Sequence, residues 1–259
     1  MTKNKNFILG IGINNLTKKE VLEEIKKCLE VRQGFFQIFT VNPEFLILAQ
    51  KNERFKKTLN KAQITIADGV GILLAGKILG QVFKERVAGI ELMKEMIKMA
   101  HDLRLTVGLI GGKDNVALQT AECLQKTYPN FNFFALEGVK NRKEPTSAEL
   151  TKIISIIAET KPQMLFIAFG APWQEFFIDS LKKKLKNDWP MTAVGVGGSF
   201  DEISGRIKQV PVWINKIGLK WLWRLIQEPW RWKRQLALLE FVFLVLEERL
   251  KRFFNKNRD

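Results

Sequence analysis

The sequence predicts an α/β fold: a Rossmann-like, doubly wound, mostly parallel sheet followed by a C-terminal basic helical appendage. Three observations carry that expectation. Six short apolar runs are separated by segments of helical period. Several of those runs are near-continuously hydrophobic rather than alternating, as suits strands covered on both faces. The composition also changes near residue 204, where basic residues and tryptophans begin to crowd.

The elements follow in order. FILGIGI (7–13) reads as an extra edge strand or a hairpin. Thr17-Lys18-Lys19-Glu20 fits a capping box and opens the first helix. The six strand runs are FFQIFTV (35–41), ITIAD (64–68), TVGLIGG (106–112), FNFFAL (131–136), MLFIAFG (164–170) and TAVGVGG (192–198). Pro43 suits the first turn of the helix after the first run. Asp114 is the expected N-cap after the third. Thr146-Ser147-Ala148-Glu149 makes a second capping box. Pro172 can start a further helix with Gln174 and Glu175 in its first turn, where Glu175 would complement the helix dipole. Strand and helix alternate throughout, which is the pattern of a doubly wound sheet. Residues 1–203 therefore read as the α/β domain and 204–259 as the appendage.

With 259 residues the chain is long enough for a sizeable core, and its net charge of +15 favours an anionic partner. Between Ser204 and Arg234 there are eight basic residues and one acidic, and five of the seven tryptophans. The run LALLEFVFLVL (236–246) holds 11 residues, including Glu240, and is too short to span a bilayer. MTKNKNFILG lacks a signal-peptide core, so a cytoplasmic protein is expected. Basic residues beside tryptophans and a long apolar run read as a segment lying on anionic lipid. The other cover for that face is the protein itself or a second copy in a homo-oligomer. Cys28, Cys123 and the single histidine, His101, supply neither a disulfide framework nor a zinc cluster. His101 falls within a helical pattern (89–103), which argues against a triad built on it.

In open α/β sheets ligands bind beyond the C-terminal ends of the strands. Five polar or glycine-rich turns fall there. Thr40-Val41-Asn42-Pro43 ends the first run. Asp68, before Gly69, ends the second; it reads either as the N-cap of the next helix or as a general base ionised at neutral pH. Gly111-Gly112 opens a helix and offers backbone N–H groups to an anion. Gly170-Ala171-Pro172-Trp173-Gln174 places Gln174 to hydrogen-bond a ligand. Gly197-Gly198-Ser199 makes the fifth turn. Each alone is an ordinary turn, and the series is more telling than any member.

Taken together, TVNPE (40–44), ADGVG (67–71), RVAG (86–89), LIGGK (109–113), GAPWQE (170–175), GVGGSFD (195–201) and WLWRLIQEPWRW (221–232) resemble the WecG/TagA/CpsF glycosyltransferases. The likeness runs from about Asn6 to Leu236. It implies an inverting enzyme that transfers N-acetylmannosamine from a UDP-sugar donor to a polyprenyl-diphosphate-GlcNAc acceptor, the committed step toward wall teichoic acid. Relatives that use the uronic acid of that sugar keep a second donor open. The resemblance matches Asp68 to the family base and Thr40, Asn42 and Gln174 to its substrate-binding positions. It matches Arg224, Arg231 and Arg234 to its C-terminal arginines. Arg86, Gly111, Gly112 and Gly197 are further candidates from their turns. Ala67 departs from the proline many relatives carry.

Asp-x-Asp, which holds a metal on the diphosphate in many nucleotide-sugar transferases, is absent. No metal and no cofactor are therefore expected, and arginines and helix N-termini would meet the leaving diphosphate. Arg224 and Arg231 lie seven apart and Arg234 three further on, so one helix face is expected to present all three. Such an enzyme would work at the inner face of the plasma membrane as a peripheral protein. A nicotinamide-dependent oxidoreductase is disfavoured, because no glycine fingerprint follows the first strand. A nucleic-acid-binding protein would explain the charge and the tryptophans. It does not explain the apolar run beside them, so no nucleic acid is expected.

Overall fold

The computed structural model describes residues 4–31, 34–130, 132–185, 189–211, 214, 219–229 and 232–256; the side chains of 220, 233–235, 255 and 256 are excluded. All six strand runs form strands: β3 (Gly34–Val41), β4 (Ile64–Ala67), β5 (Val107–Gly111), β6 (Phe133–Leu136), β7 (Met164–Ala168) and β8 (Pro190–Gly195). They build one sheet of order β4-β3-β8-β7-β5-β6. The pairs β3–β8, β8–β7, β7–β5 and β5–β6 are all parallel. FILGIGI forms the hairpin alternative: β1 (Lys5–Ile8) and β2 (Ile11–Asn14) pair antiparallel in a sheet of their own. Its two-residue turn, Leu9-Gly10, has positive φ at both positions, the form that matches strand twist.

The described chain divides into two compact units. One comprises Lys18–Phe39 and Gly89–Gln209. Here α1 (Lys18–Glu30) and α5 (Gly89–Asp102) pack together and cover β8 and β7 respectively. α6 (Val116–Thr127) packs on β5, β6 and the short α9 (Ser199–Ile203), and α8 (Trp173–Lys184) on β7 and β8. β5 is buried throughout and β7 nearly so, which explains their unbroken apolar sequences. β6, at the sheet edge, is only half-buried.

α7 (Ser147–Thr160) begins with the expected capping box: Glu149 N donates to Thr146 Oγ1 at 3.2 Å, and Thr146 N to Glu149 Oε2 at 2.9 Å. The backbone N–H of Lys140, then the Thr146 hydroxyl and N–H, hold the Glu149 carboxyl down to about 2. The N-cap of α6 is Asn115 rather than Asp114. Both residues take left-handed φ, so the turn runs one residue longer than the sequence reading allows.

The other unit comprises Met1–Thr17, Thr40–Ala88 and Val210–Asp259. It contains the hairpin, β4, α2 (Pro43–Lys51), α3 (Glu53–Lys61), α4 (Val70–Ile78), the short α10 (Lys220–Gln227) and the long α11 (Trp232–Lys256). α11 packs on α2 and α4 and buries Phe241 and Val245, one helical turn apart. Polar ties fix it further. Lys51 Nζ meets Glu240 at 2.6 Å, Leu9 N donates to Glu248 at 2.8 Å, and Arg252 Nη2 donates to the Phe7 carbonyl at 2.8 Å.

α10 and α11 are separate helices, which corrects the expectation of one continuous face carrying Arg224, Arg231 and Arg234. Helical conformation is disfavoured before a proline, and Glu228, preceding Pro229, leaves the helical region at φ −128° and ψ 72°. Among the described residues no helix is long and apolar enough to cross a membrane.

Candidate active site

Each unit brings its own subset of the predicted residues together. In the unit holding β4, two backbone hydrogen bonds do this. Asp68 N donates to the Val41 carbonyl at 2.8 Å, which sets Asp68 beside the Thr40–Asn42 turn. Val87 N donates to the Ala67 carbonyl at 2.9 Å, which draws Arg86 to the same strand end. Thr40 is buried; Asp68 and Arg86 are half-buried, so their groups are sheltered but reachable.

Asn42 is the N-cap of α2, with its side chain accepting from Phe45 N at 3.0 Å and Pro43 in the first turn. Of the two readings of Asp68, the capping position belongs to its neighbour instead. Gly69 is the N-cap of α4 and makes no side-chain cap. Its φ of +109° is a conformation side chains rarely adopt, so the DG pair turns the chain sharply where the carboxylate must stand. Gly71 has a different reason: a Cβ there would lie 2.8 Å from the Pro43 ring, so the starts of α2 and α4 meet only because it is glycine.

Arg224, on α10 of the same unit, lies 3.1 Å from Glu228 in a mostly buried ion pair. Arg231 lies outside the described residues, as does the side chain of Arg234.

In the other unit, Gly111 closes β5 and Gly112 N donates to the Ala168 carbonyl of β7 at 3.0 Å. Gly170, Gln174 and Gly197 form a second group. Gln174 is only 2% exposed. Its Oε1 accepts from Gly170 N at 3.0 Å and Gly197 N at 3.1 Å, and its Nε2 donates to Glu175 Oε1 at 2.7 Å. Its amide oxygen and one N–H are thus already engaged within the fold. His101 sits on α5, its ring tilted against Tyr128 at 5.2 Å, a packing role.

Sequence reasoning missed two residues and the burial of a third. Glu175, expected to complement the helix dipole, is 1% exposed, and burial pushes its carboxyl up to about 7. Arg142 Nη1 donates to the Phe169 carbonyl at 3.0 Å, beside the turn at Gly170. Arg206 staples the turn before α6, donating to the Lys113 carbonyl at 2.9 Å, the Gln119 side chain at 2.8 Å and the Asp114 carbonyl. Arg206 lies 87 to 93 residues from its partners, so no local pattern announces it.

In doubly wound sheets ligands bind beyond the strand ends, and here those turns carry a carboxylate and an arginine. The chain belongs to the glycosyl transferase WecG/TagA/CpsF family, whose sequence profile matches residues 7–255. The relatives it resembles include the N-acetylglucosaminyldiphosphoundecaprenol N-acetyl-beta-D-mannosaminyltransferase of Bacillus subtilis (strain 168). That similarity is 31% identity, covering 82% of this chain and 79% of the relative. The enzyme of the same name from Bacillus spizizenii is 32% identical over 85% and 81%. That of Staphylococcus aureus (strain MW2) is 31% identical over 88% and 85%.

Proposed function

We propose that this glycosyltransferase moves N-acetylmannosamine from UDP-ManNAc to the 4-hydroxyl of GlcNAc on undecaprenyl diphosphate, making the linkage unit of wall teichoic acid. The names of the three relatives support the acceptor and the sugar. The observation that carries the mechanism is the strand end where Asp68, Arg86 and the Thr40–Asn42 turn are drawn together.

In this reading Asp68 takes the proton from the acceptor hydroxyl as its oxygen bonds to the anomeric carbon. The bond from that carbon to the UDP oxygen breaks on the opposite side, so the centre inverts. One base suffices and no protein nucleophile is required. Arg86 and the C-terminal arginines Arg224, Arg231 and Arg234 meet charge on the diphosphate. Gln174, Gly111, Gly112 and Gly197 are further proposed substrate-binding positions. In this reading the reaction runs without a metal: the sequence has no Asp-x-Asp to hold one on the diphosphate, and arginines stand in its place.

The acceptor is lipid-linked, and α11 supports docking to an anionic membrane surface. Its outward face carries Leu236, Leu239, Phe243, Leu246, Leu250 and Phe253, all exposed, at spacings of three and four. The enzyme would thus work as a peripheral protein on the inner face of the plasma membrane. The deciding experiment offers the purified protein a short-chain, soluble lipid-diphosphate-GlcNAc acceptor with a panel of UDP-sugars, in excess EDTA. The expected product has the mass of one added N-acetylhexosamine, with UDP-ManNAc the preferred donor. Preference for the uronic acid donor would reassign the sugar, and loss of turnover restored by magnesium or manganese would remove metal independence.

A further inference from the structure

We infer that Glu175 is a positioning residue: its buried carboxyl holds the Gln174 amide in the one orientation that gathers the backbone N–H groups of Gly170 and Gly197, and so sets the turns that end β7 and β8. The inference deepens the reading above, since those turns carry proposed substrate-binding positions.

The argument begins with the asymmetry of a primary amide. Only its oxygen accepts. Two backbone donors, Gly170 N at 3.0 Å and Gly197 N at 3.1 Å, point at one end of the Gln174 side chain, so that end must be oxygen. The NH2 group is then left facing the interior, where an N–H without an acceptor is costly. Glu175 Oε1, 2.7 Å away, supplies the acceptor. Were the amide turned over, its nitrogen would face two N–H groups and its oxygen the carboxyl.

The surrounding backbone is shaped to this pair. A Cβ on Gly195 would lie 2.7 Å from Gln174 Nε2 and 2.8 Å from Glu175 Oε1, so a larger residue there would force the two side chains to shift. Gly170 and Gly197 hold left-handed φ of +76° and +51°, and each gives its N–H to the same oxygen. The second oxygen of Glu175, Oε2, is buried and has no hydrogen-bond partner among the described residues. Nothing there calls for a full negative charge. With burial pushing the carboxyl up to about 7, a neutral acid can make the same contact through its carbonyl oxygen.

The test uses the full-length chain and the variants Glu175→Gln, Glu175→Met and Asp68→Asn. Two readouts are taken: kcat and KM for transfer to the soluble acceptor, and amide hydrogen exchange at Gly170 and Gly197 with Val194 in β8 as an internal reference. Glu175→Gln keeps an uncharged acceptor, so turnover within about threefold and unchanged exchange are expected. Glu175→Met removes the acceptor. Its kcat should fall by about tenfold or more, and exchange at both glycine amides should quicken by about tenfold while Val194 stays protected.

A folded Glu175→Gln protein as inactive as Asp68→Asn would overturn the inference, because the carboxyl would then be moving protons. Unchanged exchange in folded Glu175→Met would overturn it equally. If Glu175→Met does not fold, rescue of fold, exchange and turnover by Glu175→Gln supports positioning, and a folded but inactive Gln variant sinks it. The exchange arm reads without any turnover. Full activity of Asp68→Asn would therefore remove the proposed base and leave the role of Glu175 standing.

Discussion

The two compact units end their strands with the same device, a glycine turn leading into a helix, and put it to different work. In the unit of β5, β7 and β8 the polar groups at the turns are consumed internally. Gln174 spends its oxygen on Gly170 and Gly197, Glu175 is buried against it, and Arg206 is committed to carbonyls of the turn before α6. In the unit of β4, Asp68 and Arg86 are only half-buried, while Gly69, not Asp68, occupies the cap position of α4. The same unit carries the outward apolar stripe of α11; in the other, Val31, Leu103 and Leu118 are the exposed large aliphatics among the described residues. The polar groups at the turns of one unit are thus bonded within the fold, while the other leaves the proposed base and an apolar stripe accessible. A turn motif in a sequence names a strand end; burial decides whether its polar groups serve the fold or a partner.

The widest separation between the units should come from Asp68→Asn. The change keeps size and removes the proposed base, so kcat should drop by about 10²–10⁴. The circular dichroism spectrum and thermal midpoint should stay within error of the parent. A mutant that keeps near-normal turnover would return Asp68 to the scaffold category.

Glu175→Gln should show the reverse profile, altering stability rather than rate. The Glu175 carboxyl is raised in the folded chain from 4.5 to about 7. A raised value means the folded state holds the proton more tightly than the unfolded one. Its contribution is fully present below about pH 4.5 and is lost as pH rises through about 7. Urea unfolding of wild type and Glu175→Gln should diverge across that window, with the variant gaining by up to about 3 kcal/mol at pH 8. Parallel stability curves from pH 5 to 8 would mean that the acid is ionised throughout.

Gly195→Ala tests the scaffold sterically. The new methyl would sit 2.7 Å from Gln174 Nε2, and overpacking of this kind costs about 1–3 kcal/mol. Gly69→Ala meets no atom within 4 Å, so only its φ of +109° opposes it, at about 1–2 kcal/mol. The first should unsettle the Gly170 and Gly197 turns, and the second the strand end beside Asp68. Turnover and denaturant midpoints of the two variants, measured side by side, separate these outcomes.

Much of this was legible in the sequence, for reasons that differ by residue. The six strands were readable because buried parallel strands need unbroken apolar runs, and β7 is MLFIA. The place of Asp68 at a strand end was readable because the apolar run ITIA stops just before it. What could not be read were properties set by distant chain. The burial of Glu175 depends on Gly195, 20 residues on, leaving room for it. The break between α10 and α11 was available in principle from Pro229, but heptad-like arginine spacing pointed the other way. Which face of the last helix is covered also lay beyond sequence pattern, since LALLEFVFLVL is apolar on both.

That last helix yields the smallest effect expected on the catalytic reaction itself. On one side Phe241 and Val245 are 4% and 1% exposed against α2 and α4. On the other Leu239 and Phe243 are 72% and 67% exposed. Residues 239 and 241 differ by about 200° around a helix, so neighbouring positions sample opposite environments. Phe241→Ala should cost about 3–5 kcal/mol through the cavity it leaves. Leu239→Ser with Phe243→Ser removes no packed contact, and stability should change by about 0.5 kcal/mol per site or less. Transfer to the soluble acceptor should not change, because neither side chain belongs to the strand ends. Vesicles of anionic phospholipid discriminate what remains. Co-sedimentation of the double serine variant should fall well below that of the parent, and transfer to a vesicle-embedded, long-chain acceptor should fall with it. Undiminished vesicle binding would mean that this stripe is not the docking face, and a changed oligomeric state in ultracentrifugation would give it to a second copy of the chain instead.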